Sequence, residues 1–147
     1  MAFLQGSIPY QQYITRNGTY SIAQILKSRG YHTRAIHPYD KRGYNRVQVY
    51  PKIGFETFLD VSDFENAELV RDRYISDLDS YKKVIEEFEK ICQSGQPAFI
   101  FNVTMQNHSG YDTGYFTENA VRIPGHEGEF PNAEEYLTLI READAAI

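Results

Sequence analysis

His108 follows Pro97-Ala98-Phe99-Ile100-Phe101-Asn102-Val103-Thr104-Met105-Gln106-Asn107, a near-continuous apolar run that gives way to side chains able to grip an anion. Such a run reads as a strand over 98–106 buried on both faces, as in the middle of a parallel sheet. Ligands of open α/β sheets collect just beyond the carboxyl ends of the strands, so His108 sits where chemistry is expected. A second strand, 31–36, ends at His37-Pro38, and Arg46 comes ten residues after it. If the two strands lie parallel in one sheet, His37 and His108 emerge at one rim, with Arg46 in reach of the same crevice. Arginine offers a planar fork of donors suited to two oxygens of a phosphate or sulfate, and it stays charged at any working pH. A nearby histidine donates to a third oxygen or moves a proton near neutrality. The plainer reading of each histidine is a polar residue turning the chain toward solvent.

Other chemistries find less support. His32 and His126 sit at a strand start and in a glycine-flanked loop. No two histidines have the i, i+4 spacing of a helical metal site, and there is no Cys-x-x-Cys pair. Asp60, Asp63 and Glu65 lack the spacing and closing glutamate of an EF-hand. Ser109-Gly110 does not complete a Gly-x-Ser-x-Gly elbow. Cys92, the single cysteine, falls on a helical stripe with Val84, Phe88 and Ile91 and reads as a buried packing thiol. The acidic pairs Glu86-Glu87 and Glu134-Glu135 are expected on the wet faces of helices.

To place the rim residues the chain needs a sheet and helices to cover it, and periodicity supplies both. Residues 1–18 read as irregular. Ile22, Ile25 and Leu26 recur at helical spacing after Ser21, and Gly30 closes that helix. A short helix is expected over 45–53, interrupted by Pro51, then a brief strand over 55–59 and an acidic loop over 60–76. From Asp77, Leu78, Tyr81, Val84, Ile85, Phe88, Ile91 and Cys92 line one helical face, with Lys82, Lys83, Glu86, Glu87 and Lys90 on the other. A long connection over 109–132 is of a length usually functional or disordered, and a helical pattern resumes over 133–147. This order favours an α/β fold with a mostly parallel sheet flanked by helices.

The chain's 147 residues fit one domain, and a net charge of −5 with no Lys/Arg cluster argues against broad nucleic-acid binding. No apolar stretch approaches the roughly 18 residues of a membrane span, and Met1–Gly6 carries no basic start followed by an apolar run.

Three blocks together resemble one family: Met1-Ala2-Phe3-Leu4 with Gly6-Ser7-Ile8-Pro9-Tyr10-Gln11-Gln12-Tyr13; His37-Pro38-Tyr39 with Gly43-Tyr44-Asn45-Arg46 and Val49-Tyr50-Pro51-Lys52-Ile53-Gly54-Phe55; and Thr104-Met105-Gln106-Asn107-His108. In order and separation they are similar to the lipoteichoic acid synthase and phosphoglycerol transferase group of sulfatase-like proteins. The resemblance implies a partial alkaline-phosphatase-like fold, with residues 1–147 an internal fragment of one sulfatase-like domain. It implies that Tyr44, Arg46 and His108 hold a phosphoglycerol head group. Tyr44 stands where tryptophan is common, and Tyr39 where a glycerol-contacting aspartate would align, with Asp40 adjacent. A threonine nucleophile and a divalent-cation site, commonly manganese, are expected outside this chain, so no catalytic or metal-binding residue is assigned within it and the fragment is expected to be inactive. The implied partners are phosphatidylglycerol, a glycerophosphate polymer acceptor and the remainder of the catalytic domain. The implied location is the extracytoplasmic face of the membrane, tethered by helices this chain does not contain. Two other functions stay open: a sulfatase or phosphatase hydrolysing small esters, and a non-catalytic anion-binding domain.

Overall fold

The computed structural model describes residues 8–17, 19–116 and 120–147; Met1-Ala2-Phe3-Leu4 and Gly6-Ser7 of the first motif, with Gly18, lie outside them. Two single-turn helices, α1 (Pro9–Gln12) and α2 (Ile14–Asn17), precede α3 (Ile22–Ser28). Ser21 caps α3 by accepting from the Gln24 amide at 3.2 Å. Next come β1 (His32–Ile36), a 3-10 turn at Gly43–Asn45, α4 (Arg46–Lys52) and β2 (Thr57–Leu59). A second 3-10 turn at Val61–Asp63 leads to the hairpin β3 (Leu69–Val70) and β4 (Tyr74–Ile75). The chain then forms α5 (Asp77–Gln93), β5 (Ala98–Asn102) and α6 (Pro131–Ala145). Pro51 sits inside α4 and removes one i→i−4 hydrogen bond close to its end, where only Lys52 follows it in the helix.

The main sheet has the order β2-β1-β5, with both pairings parallel. Ile36 lies opposite both Leu59 and Asn102, so all three strands finish at one rim. β1 is the central strand, and its Thr33, Ala35 and Ile36 are fully buried. The strand expected over 98–106 is shorter than predicted and lies at an edge of the described sheet, with Phe101 43% exposed. Beyond Asn102 the polar side chains leave the ladder for the start of α5: the Gln106 carboxamide oxygen accepts from the Asp77 amide at 2.8 Å.

One sheet face carries an apolar cluster of Ala35 with Ala23 of α3, Val49 and Tyr50 of α4, and Phe55. Gly54 makes that packing possible. It adopts φ +99°, and a Cβ there would meet the Gln24 backbone nitrogen at 2.6 Å.

The opposite face corrects the reading of α5. Arg34 of β1 forms a buried ion pair with Glu87 of α5, so the helix turns Asp77, Ser80, Glu87 and Ile91 inward. Leu78, Ile85 and Phe88, expected to pack, are exposed, and Cys92, expected to be buried, is exposed as well. A guanidinium in a sheet interior requires a countercharge, and that requirement sets the rotation of the helix against its apolar stripe.

Glu134 and Glu135 are also buried rather than on a wet face. Glu134 accepts from Arg122 at 2.7 Å, from the Ile123 amide at 3.2 Å and from the Gly128 amide at 3.0 Å. Glu135 accepts from the Thr113 and Gly114 amides, both at 3.1 Å. Helix α6 thus holds the long connection in place with two carboxylates and satisfies amides that have no ladder partner.

Candidate anion-binding site

Arg46 is delivered to the rim by an unusual backbone. Tyr44 (φ 55°) and Asn45 (φ 58°) are consecutive non-glycine residues in the left-handed region, a conformation found where function holds strain in place. The turn folds the guanidinium back over the Tyr44 ring, 5.1 Å from its centroid, while Nη1 donates to the Gly43 carbonyl at 3.1 Å. Tyr44 and Arg46 together border a cavity of about 450 Å³ whose other walls include Tyr10, Tyr50, Phe99 and Val103. An anion meeting Arg46 therefore has an aromatic edge beside it and little competing polar surface.

His37 stands at the end of β1 and is only 1% exposed. Its Nδ1 lies 2.8 Å from the Val103 carbonyl, a contact only an N–H can make, so the proton is fixed there. Nε2 keeps its lone pair. Burial pushes the imidazole below its ordinary pKa, and the nearby Arg46 charge acts in the same sense against the Val103 bond and Asp60. His37 is therefore a neutral acceptor at neutral pH.

His108 is exposed beyond the end of β5, with its amide bonded to the Met105 carbonyl at 3.0 Å. Its Nδ1 lies 3.5 Å from both the Tyr74 and Ser109 hydroxyls. A line of rings connects it to His37: His37 to Tyr39 at 6.3 Å, Tyr39 to Tyr74 at 5.6 Å, and Tyr74 to His108 at 5.9 Å between centroids. Tyr44 and Arg46 thus share one cavity, while His108 is joined to His37 through Tyr39 and Tyr74. His108 does not border the cavity that Arg46 borders.

The remaining sequence candidates have structural work. Asp40 binds Arg42, with Nε at 2.9 Å, and that contact holds its carboxyl down to about 2. Asp60 and Asp63 form a reciprocal cap on the second 3-10 turn. His32 pairs with Glu56 at 3.2 Å and His126 with Glu129 at 3.0 Å. Among the described residues no three His, Cys, Asp or Glu side chains gather as a metal site would need. Sequence reasoning missed Tyr74 and Arg71. Their signal was faint: a charged Arg71-Asp72-Arg73 flanked by Val70 and Tyr74.

Comparison with known proteins shows similarity along nearly the whole chain. A family model described as Sulfatase matches residues 4–147. A Rhizobium meliloti protein named for cyclic beta-1,2-glucan modification is 35% identical over 99% of this chain and 22% of its own length. The lipoteichoic acid synthase LtaP from Listeria monocytogenes superposes with TM-score 0.79 at 21% identity, over 98% of this chain and 35% of LtaP. The Streptococcus pyogenes phosphoglycerol transferase GacH, solved with sn-glycerol-1-phosphate, gives TM-score 0.56 at 27% identity, over 80% of this chain and 32% of GacH. The chain thus spans about a fifth of the curated relative and about a third of each solved structure.

Proposed function

The chain belongs to the sulfatase family, and from that premise we propose that it supplies the head-group grip of a phosphoglycerol transferase. Arg46 takes two non-bridging oxygens of the phosphate through its planar fork, and Tyr44 orients the guanidinium. His108, outside the cavity that Arg46 borders, donates to another oxygen of the head group, and His37, buried on the Val103 carbonyl, backs the rim without touching the ligand. These contacts strengthen as charge grows on the oxygens during transfer, which is how such donors lower a barrier. The attacking group, a threonine by the family resemblance, comes from another part of the protein, so this chain binds, orients and stabilises charge. The observation that carries the reading is the left-handed Tyr44-Asn45 turn, which holds Arg46 against Tyr44 beside the ends of three parallel strands. The names of LtaP and GacH support glycerophosphate as the transferred group, and the Rhizobium relative suggests a glucan hydroxyl as one acceptor to test.

In the natural full-length protein, Arg46→Ala and His108→Ala are expected to lower turnover of head-group-labelled phosphatidylglycerol by about 100- to 1,000-fold, as loss of one oxyanion donor does. Unchanged turnover by both variants would remove the reading. The family model itself favours a second reading, hydrolysis of sulfate or phosphate esters, because a guanidinium grips either anion. Faster turnover of an aryl sulfate than of phosphatidylglycerol by the natural protein would select it.

A further inference from the structure

Building on the head-group grip, we propose that the β3–β4 hairpin is a positioning device for His108: Arg71 holds the backbone beneath it and Tyr74 holds its ring. The Arg71 side chain is 2% exposed. Nη2 donates to the Gln106 and His108 carbonyls and Nη1 to the Gly110 carbonyl, each at 2.7 Å. Three alternate carbonyls of the loop bearing His108 therefore converge on one guanidinium. The Tyr74 and Tyr111 rings flank it at 5.2 and 5.9 Å, and Glu135 of α6 lies 3.9 Å away.

A buried arginine could serve packing alone, but three features tie this one to His108. First, the same hairpin reaches His108 twice, through its carbonyl by Arg71 and through its ring by Tyr74. Second, the Tyr74 and Ser109 hydroxyls both approach Nδ1. Hydroxyl donation there leaves the proton on Nε2, the state in which the imidazole can donate to an oxyanion. Third, Arg71 (φ 56°) and Asp72 (φ 51°) are a second left-handed, non-glycine pair. Both arginines that serve the rim are thus presented by strained turns. Lysine cannot reproduce the fork that serves three carbonyls at once.

The test uses the natural full-length protein, with calorimetric titration of sn-glycerol 1-phosphate and histidine-selective NMR of the imidazole rings. Arg71→Lys is expected to weaken binding about tenfold, and up to on the order of a hundredfold, the scale of a small misplacement in a site. Placed on a His108→Ala background, it should change binding less than about twofold, since the group it positions is gone. Without ligand, Arg71→Lys should displace the His108 ring signals, and Tyr74→Phe should move its ring nitrogens toward the other tautomer; the latter arm decides if Arg71→Lys fails to fold. Full, additive losses on the His108→Ala background, or unmoved ring signals in the variants, would overturn the proposal. If His108→Ala binds like the natural protein, the head-group reading fails for His108, and the ring signals still decide whether the hairpin positions it.

Discussion

His37 turns its burial into a pH dependence that can be measured apart from activity. In the folded chain its pKa is lowered from the ordinary 6.5, chiefly by burial. Between the lowered value and 6.5 the unfolded chain binds more protons than the native one, so stability rises with pH there and falls as the solution is acidified. Urea midpoints taken from pH 7.5 down to 5 should therefore drop more steeply for the natural chain than for His37→Asn, which has no titrating ring. The difference should be at most about 1.4 kcal/mol per pH unit; parallel profiles would show that His37 is not held neutral by the fold. At this scale the positions of His37 and His108 past the ends of β1 and β5 were legible, because the strand-like runs before them mark those strands. Arg71 was not, since its partners are backbone carbonyls, and a carbonyl leaves no mark in sequence.

Elements defined by caps and breakers came through best. Ser21 and Gly30 bound α3 nearly where the sequence places them, and α5 starts at Asp77 as its pattern predicts. The hairpin inside 60–76 was hidden because β3 and β4 are each only two residues long, too short for alternation to register. β5 was read too long because Val103 and Met105 continue the apolar run while Thr104 and Gln106 bind elsewhere, and hydropathy does not distinguish those cases. Gly54 belongs to this scale, since it lets α3 pack against the turn after α4. Gly54→Ala must place a Cβ 2.6 Å from the Gln24 nitrogen at φ +99°, combining a close clash with backbone strain. Its expected cost is about 1–3 kcal/mol or more in denaturant unfolding. A variant with an unchanged midpoint would mean that α3 moves away without loss.

Across the whole molecule, two polar anchors decide how elements meet, and neither follows from hydrophobic pattern. Glu134 and Glu135 tie Thr113, Gly114, Ile123 and Gly128 to α6, so these described residues, which lie outside any strand ladder, still have bonded amides. The Arg34–Glu87 pair fixes α5 on the sheet while Leu78, Ile85 and Phe88 face outward. The ordinary amphipathic reading fails here because a buried charge outweighs several methyl groups: stranding one partner costs about 3–5 kcal/mol, whereas replacing both with apolar residues is often neutral or stabilising. Glu87→Leu alone should therefore lower unfolding stability by about 3–5 kcal/mol, and Arg34→Leu with Glu87→Leu should recover most of that loss. If the pair were incidental, Glu87→Leu would gain from burying leucine and the two changes would add. If the pair sets the orientation of α5, the double variant also frees the helix to rotate its apolar stripe inward, and amides along α5 should then exchange in a different pattern from the natural chain even where stability is restored.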